Sequence, residues 1–191
     1  MAYRFVVGVI AGSLLATMAL ASSARADETC EAMWFWRNQI FHKAGTCFST
    51  PLAKAVFGNE GCTAGAAPTG KRLALALEIR NREKSFGCSV NTGVKGLPNI
   101  DVGLYGRVTH PPIRDETESA CNGFSGASIK LRSAPNARAP VISSIEWGDD
   151  VADHSLPFGK WSFHYTYQGN RLRGLGWTDQ DVFQTCRMIA G

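Results

Sequence analysis

Six cysteines constrain the fold of this 191-residue chain more than any other feature. They are widely spaced, with no Cys-x-x-Cys pair, and stand at Cys30, Cys47, Cys62, Cys88, Cys121 and Cys186. Zinc sites built from cysteine place paired ligands close together in sequence, and these spacings do not fit that pattern. An even number of separated cysteines instead predicts three disulfides, which form outside the reducing cytoplasm.

The N-terminal segment 1–26 has the regions of a secretory signal peptide, in the right order. Arg4 supplies a positive start, an apolar run covers 5–21, and the segment ends in the small-x-small sequence Ala-Arg-Ala. The alternative is an uncleaved anchor, but the run is short for a bilayer span and no basic flank follows it. We predict cleavage after Ala26 and a periplasmic or secreted protein with no membrane span after cleavage.

The charge of the chain argues against a nucleic-acid partner. The sequence has 20 Lys and Arg against 16 Asp and Glu. Arg4 and Arg25 leave with the predicted signal, so the mature balance is 18 − 16 = +2. Because the remaining basic residues are scattered among acidic ones, we predict no nucleic-acid binding.

Two helices are predicted directly after the signal. Residues 27–45 carry apolar side chains at helical spacing and end in a glycine suited to a left-handed stop. A short second helix has Thr50 as its N-cap, Pro51 as its first residue and Gly58 at its end.

A third helix is predicted over residues 71–86. Its leucines alternate as they would in a strand, but the segment is long and rich in Leu, Ala, Glu, Arg and Lys. Residues 89–120 read as an irregular connector with one or two short strands. From residue 128 onward, short β-like runs separated by turns predict a small closed or half-closed barrel.

The C-terminal runs carry recognisable motifs. Residues 129–135 read I-K-L-R-S-A-P, and 140–142 read P-V-I. A G-x-x-V turn follows at 148–151, and the aromatic strand that begins at Trp161 leads to the G-W-T sequence 176–178. The order of these motifs over 127–184 resembles a bacterial SH3-like domain. This resemblance implies a small β-barrel and, by analogy, a wall-targeting module.

The N-terminal helices carry a second set of motifs. Residues 37–41 read R-N-Q-I-F, and Gly45, Phe48, Pro51 and Phe57 follow at set distances. This pattern over 30–62 resembles the YARHG domain. The pentapeptide itself reads F-H-K-A-G here, with alanine at the family's histidine position, so no catalytic role is carried over. Together the two resemblances are similar to exported bacterial proteins of unknown function.

The disulfide pairing is partly constrained by these elements. The ends of an SH3-like barrel lie close together, which implies the pair Cys121–Cys186. Cys30 and Cys47 stand at opposite ends of a helix and are too far apart to bond. We therefore predict the pairs Cys30–Cys62 and Cys47–Cys88.

Candidate catalytic and metal sites are weak. No free thiolate remains if all cysteines are oxidised, and the sequence has no G-x-S-x-G elbow, so we predict no catalytic residue. The run 149–154 contains three aspartates and a histidine. Strand geometry separates these side chains, so we interpret the run as a solvated turn and expect no metal.

Two other groups of residues are candidate sites. Arg37 and Asn38 interrupt an apolar helix face, and we expect a structural role in which they bind loop carbonyls near 45–48. Aromatic residues on the predicted strand and its neighbour form the candidate ligand-binding surface: Trp161, Tyr165, Tyr167 and Trp177.

We predict an α+β protein. Residues 27–88 form a disulfide-stapled helical module, 89–120 a connector, and 121–191 an SH3-like β-barrel. The leading hypothesis is a non-enzymatic envelope protein, without a cofactor, that binds peptidoglycan or an exported protein partner through its SH3-like domain. The alternative is a secreted enzyme or enzyme inhibitor that acts through the helical module.

Overall fold

A computed structural model describes the backbone of residues 18–191 and the side chains of residues 27–191. The side chains of the predicted signal peptide, 1–26, lie outside the described residues. The helices are α1 (Met18–Lys43), α2 (Pro51–Phe57), α3 (Gly70–Ser85) and α4 (Val102–Gly106). The strands are β1 (Arg114–Phe124), β2 (Ile129–Arg132), β3 (Val141–Ile145), β4 (Asp150–Ser155), β5 (Ser162–Gln168), β6 (Arg171–Thr178) and β7 (Cys186–Ala190), with a 3-10 helix at Phe183–Thr185.

The three predicted helices are confirmed. Thr50 caps α2 by accepting a hydrogen bond from the backbone N–H of Ala53, and Gly58 ends it with φ of 72°. The helical assignment of the Leu-rich segment holds as α3. The start of α1 differs from the prediction, because the chain is already helical from Met18, the first residue that the structure describes, instead of from near residue 27. No proline or glycine between these positions interrupts it.

All strands belong to one antiparallel sheet with the order β3-β2-β6-β5-β4-β1-β7. The sheet is not closed, since β3 and β7 are its two edges, and the predicted SH3-like barrel is therefore not confirmed. Strand β6 crosses close to β2 at Gly176, where an added Cβ would lie 2.9 Å from the carbonyl oxygen of Arg132. The α+β class is confirmed in this coarser form: helices with disulfides, followed by an antiparallel sheet.

Both faces of the central strand β5 are buried, which explains how the helices and sheet join. Phe163 and Tyr165 belong to an apolar cluster that also contains the core residues of α1. Their neighbours His164 and Thr166, on the opposite face, are buried as well. The ring of Trp36 on α1 meets Phe163 edge-on, with centroids 5.7 Å apart. Helices and sheet thus share one core.

The structure contains three disulfides, as predicted, but two of the predicted pairs are wrong. Cys121–Cys186 is confirmed. The other pairs are Cys30–Cys88 and Cys47–Cys62 instead of Cys30–Cys62 and Cys47–Cys88. Helices α1 and α3 pack antiparallel, so the cysteine after α3 reaches the middle of α1. The short α2 turns the chain back, which brings Cys62 beside Cys47.

Candidate functional site

Three of the four aromatic residues predicted to bind ligand are core residues. Trp161, Tyr165 and Trp177 are 7%, 4% and 1% exposed. Trp177 also donates its indole N–H to the carbonyl of His110, at 2.8 Å. The two tryptophans therefore form no exposed groove, and Trp177 packs against His110 in the loop before β1. Tyr165 and Tyr167 instead line a pocket.

This pocket lies between α1 and the sheet, and we call it the helix–sheet pocket. Side chains from five elements meet there: Trp36 of α1, Tyr105 of α4, Arg114 of β1, Ser155 of β4, and Tyr165 and Tyr167 of β5. Its volume is about 30 Å³. A water molecule needs about 10–15 Å³ of such space, so the pocket holds about two groups of that size.

Several buried donors of the residues that line this pocket have no acceptor in the described chain. They are the indole N–H of Trp36, the Nε and Nη1 groups of Arg114, and the hydroxyl of Ser155. The hydroxyl of Ser155 lies beside the phenol of Tyr165. Buried polar groups in folded proteins nearly always find a partner, so these donors require water or a ligand.

The two buried phenols of the pocket remain protonated at neutral pH. Burial raises the pKa of Tyr105 well above its usual value, and the nearby charge of Glu28 adds to the effect. Burial likewise raises the pKa of Tyr165. The hydroxyl of Tyr105 donates to the carboxylate of Glu28 at 3.3 Å. These rings therefore give the pocket neutral, partly apolar walls.

A larger and more open pocket adjoins this one, and we call it the outer pocket. The two share Glu28 and Tyr167, and the outer pocket is also lined by Asn122, Asp150 and Asn170. Its volume is about 310 Å³. This is the size of a small-molecule site. The two pockets therefore lie next to each other, with Glu28 and Tyr167 in the walls of both.

The comparisons with known families divide the chain into two regions. Residues 87–191, more than half of the chain, match the family described as a domain of unknown function, DUF4453. The chain belongs to the DUF4453 family. Residues 8–77 match the YARHG domain, which confirms that resemblance. The C-terminal match is to DUF4453 and not to an identified SH3-like family. Neither a curated protein nor a solved structure shows significant similarity to the chain.

The YARHG region of this DUF4453 protein contains Arg37 and Asn38, which make the polar contacts of packed helices. Arg37 Nε lies 2.8 Å from the carboxylate of Glu83 on α3. Asn38 donates to the carbonyl of Trp34 one turn earlier, also at 2.8 Å. The prediction that these side chains bind loop carbonyls near 45–48 is wrong. The antiparallel α3 places the carboxylate of Glu83 beside Arg37 instead. The ion pair fastens α1 to α3.

The acidic run 149–154 in the DUF4453 region is not the solvated turn that we expected. Asp149 is 4% exposed and forms an ion pair with Arg173. Its carboxylate also accepts the backbone N–H of Glu146 at 2.8 Å. Among the residues that the structure describes, no group of three His, Cys, Asp or Glu side chains is arranged to hold a metal ion.

His164 and Asp153 form another pair of the DUF4453 region. His164 lies on the face of β5 opposite to Phe163 and Tyr165. Nδ1 of His164 is 3.9 Å from the carboxylate of Asp153. Burial lowers the pKa of His164 from 6.5 to about 4. Burial also raises the pKa of Asp153 from 3.8 to about 6, although the backbone N–H of Ser155 opposes this shift. Both groups are thus held towards their neutral forms.

These two shifts have opposite effects on stability between about pH 4 and pH 6. Folded Asp153 binds its proton more tightly than the unfolded chain does, so its contribution to stability falls as pH rises. Folded His164 binds its proton less tightly, so its contribution rises with pH. We expect the free energy of unfolding to rise by about 2 kcal/mol from pH 4 to pH 6.5 in Asp153→Asn, and to fall by about as much in His164→Gln.

Urea unfolding of the wild type and both variants at several pH values checks this expectation. The wild type should show the weakest dependence, since its two contributions oppose each other. Slopes of the same sign in the two variants would contradict the assignment.

Proposed function

We propose that this DUF4453 protein is an exported, non-enzymatic binding protein of the bacterial envelope, and that it holds a cell-wall component in the helix–sheet and outer pockets. One observation carries the proposal: buried donors on Trp36 and Arg114 have no acceptor in the described chain, and both residues line the helix–sheet pocket, which shares Glu28 and Tyr167 with the larger outer pocket. Catalysis is not needed to explain this arrangement, because a set of fixed donors that lines a pocket is a means of recognition.

Export is supported by the cysteines. All six are paired in disulfides, which are typical of proteins outside the cytoplasm. The signal peptide predicted for 1–26 agrees with this location. Among the described residues, no helix is both long and apolar enough to cross a membrane.

We further propose that strands β2 to β6 derive from an SH3-like module. The support is positional: the I-K-L-R motif lies on β2, the aromatic run lies on β5, and the G-W-T sequence lies on β6. Strands β4 and β5 of this unit, together with β1, supply the sheet side of both pockets. The proposed binding site is thus the junction of this unit with α1, instead of the exposed aromatic face that the sequence suggested.

Sedimentation with purified peptidoglycan at low salt tests the function, using the exported protein. We expect the wild type to be retained and Tyr167→Ala, which truncates the wall shared by both pockets, to bind about tenfold more weakly. Phe158→Ala is the matched control, because this aromatic residue is exposed and lines neither pocket. It should bind as the wild type does.

The absence of retention at low salt would overturn wall binding. Equal losses in Tyr167→Ala and Phe158→Ala would place the ligand elsewhere on the molecule. An exported protein partner would then be the remaining binding hypothesis.

A further inference from the structure

We infer that the helix–sheet pocket is a carboxylate subsite, and that the ligand of this protein enters it with a free carboxylate end. The inference rests on the proposed function, because it names the chemical group of the ligand that the two pockets hold. It starts from buried donors that the fold itself leaves without acceptors.

The guanidinium of Arg114 is the centre of this subsite. Its side chain is 10% exposed, and only Nη2 has a partner, the carboxylate of Glu118. The guanidinium lies over the ring of Phe86, 5.8 Å from its centroid. Nε and Nη1 are buried and have no acceptor among the described residues. Arginine keeps its charge at any ordinary pH, so these N–H groups remain donors and need an acceptor.

The other two unpartnered groups come from separate parts of the chain. Trp36, which is 3% exposed, supplies an indole N–H from α1. Ser155, 7% exposed, supplies a hydroxyl from the end of β4. An indole N–H can only donate, and so can a guanidinium. Such a set is complementary to an acceptor with more than one oxygen atom.

The size of the pocket matches a carboxylate. Its 30 Å³ takes about two water-sized groups, and a carboxylate presents two oxygen atoms. Two water molecules are the competing occupants. An ionised acceptor is favoured over water because hydrogen bonds between charged partners are roughly twice as strong as neutral ones.

The charges nearby define the rest of the ligand. Glu28 lines both pockets, Glu118 lines the helix–sheet pocket beside Arg114, and Asp150 lines the outer one. These carboxylates oppose a simple anion but favour a ligand that carries a cationic group a short distance from its carboxylate. Amino acids and short peptides with a free amine have this arrangement, and so do the stem peptides of the bacterial wall. The geometry points to such a group, with the carboxylate inside and the amine outside.

Nuclear magnetic resonance with the 15N-labelled exported protein tests this directly. The indole N–H signal of Trp36 is identified from its loss in Trp36→Phe, which keeps an aromatic ring. The probes are soluble peptidoglycan fragments and the same fragments with their carboxyl groups converted to amides. We expect the native fragments to shift the Trp36 signal and the amidated fragments to bind at least tenfold more weakly.

Variants separate this pocket from other positive surfaces. We expect Arg114→Gln to lose about tenfold in affinity for the native fragments and Trp36→Phe about fivefold, with little change for amidated ones. Arg72→Gln is the matched control: Arg72 lines a separate basic pocket with Lys43 and Lys71. It should bind as the wild type does. Melting temperatures report whether each variant is folded. If Arg114→Gln is not folded, the affinity of Trp36→Phe for the native fragments decides the test.

The results of these experiments separate a failure of the subsite from a failure of the proposed function. Equal binding of native and amidated fragments, or binding that leaves the Trp36 signal unmoved, would overturn the subsite and leave the proposed function standing. The subsite would also be overturned if Arg72→Gln lost as much affinity as Arg114→Gln. If no fragment binds and the protein is not retained on peptidoglycan, the proposed function fails and the subsite fails with it.

Discussion

Replacing Cys121 and Cys186 together by alanine is expected to lower the free energy of unfolding by about 4 kcal/mol. The two residues are 65 positions apart, so their disulfide closes a long loop and removes much conformational freedom from the unfolded chain. Cys121 is completely buried in the second apolar cluster. The bond also joins β1 to the edge strand β7, whose other side chains are exposed.

Loss of this disulfide should therefore act locally as well as globally. Since β7 has β1 as its neighbour on one side and little apolar burial, its amide hydrogens should exchange with solvent much faster in the variant. Cys47→Ala/Cys62→Ala is the matched control, with a separation of 15 residues and no link to the sheet. It should lose about 3 kcal/mol and leave exchange in β7 unchanged. Unaltered protection of β7 without Cys121–Cys186 would contradict this account.

Replacement of Asp149 by alanine should lower the free energy of unfolding by about 3 kcal/mol. The carboxylate accepts from Arg173 Nε at 3.1 Å, and Arg173 also donates to the carbonyl of Ser144. Removing the carboxylate leaves a guanidinium that is 31% exposed without its counter-charge. It also leaves the backbone N–H of Glu146 without an acceptor, in the turn that leads from β3 to β4.

Urea unfolding at neutral pH measures this loss, and Asp179→Ala supplies the control. Asp179 pairs with Lys160 at the surface, where an ion pair contributes less than about 1 kcal/mol. In the double variant Asp149→Ala/Arg173→Met no charge is left unpaired, so the loss should be smaller than in Asp149→Ala alone. Similar losses in Asp149→Ala and Asp179→Ala would show that the buried pair does not hold the turn.

The helices could be predicted from sequence because their signals are local. Thr50, Pro51 and Gly58 mark both ends of α2 within nine residues of chain, and the composition of α3 outweighs its alternating leucines. The cysteine pairing could not be predicted in the same way. It depends on the antiparallel packing of α1 on α3, which no short stretch of sequence records.

The candidate site shows the same limit more strongly. Alternation on β5 correctly placed Tyr165 and Tyr167 on one face, but it did not show that α1 covers most of that face. Arg114 and Trp36 are 78 positions apart, and neither stands in a motif. Arg114 could have been noticed as a charged residue shortly after the proline pair 111–112, but only the packed structure shows that its donors are buried. The candidate site is therefore visible only in the folded structure, through the unpartnered N–H groups of Trp36 and Arg114.

Because α1 and the sheet share one core, the two family regions depend on each other to bury their apolar surfaces. Trp36, in the YARHG region, packs against Phe163, in the DUF4453 region, and the Cys30–Cys88 bond crosses from one region to the other. A chain that carried the C-terminal region alone would leave a large apolar sheet face in contact with water. Any relative that lacks the N-terminal helices must therefore shield that face with another segment or with a second subunit, and it would lose the α1 side of the helix–sheet pocket in the exchange.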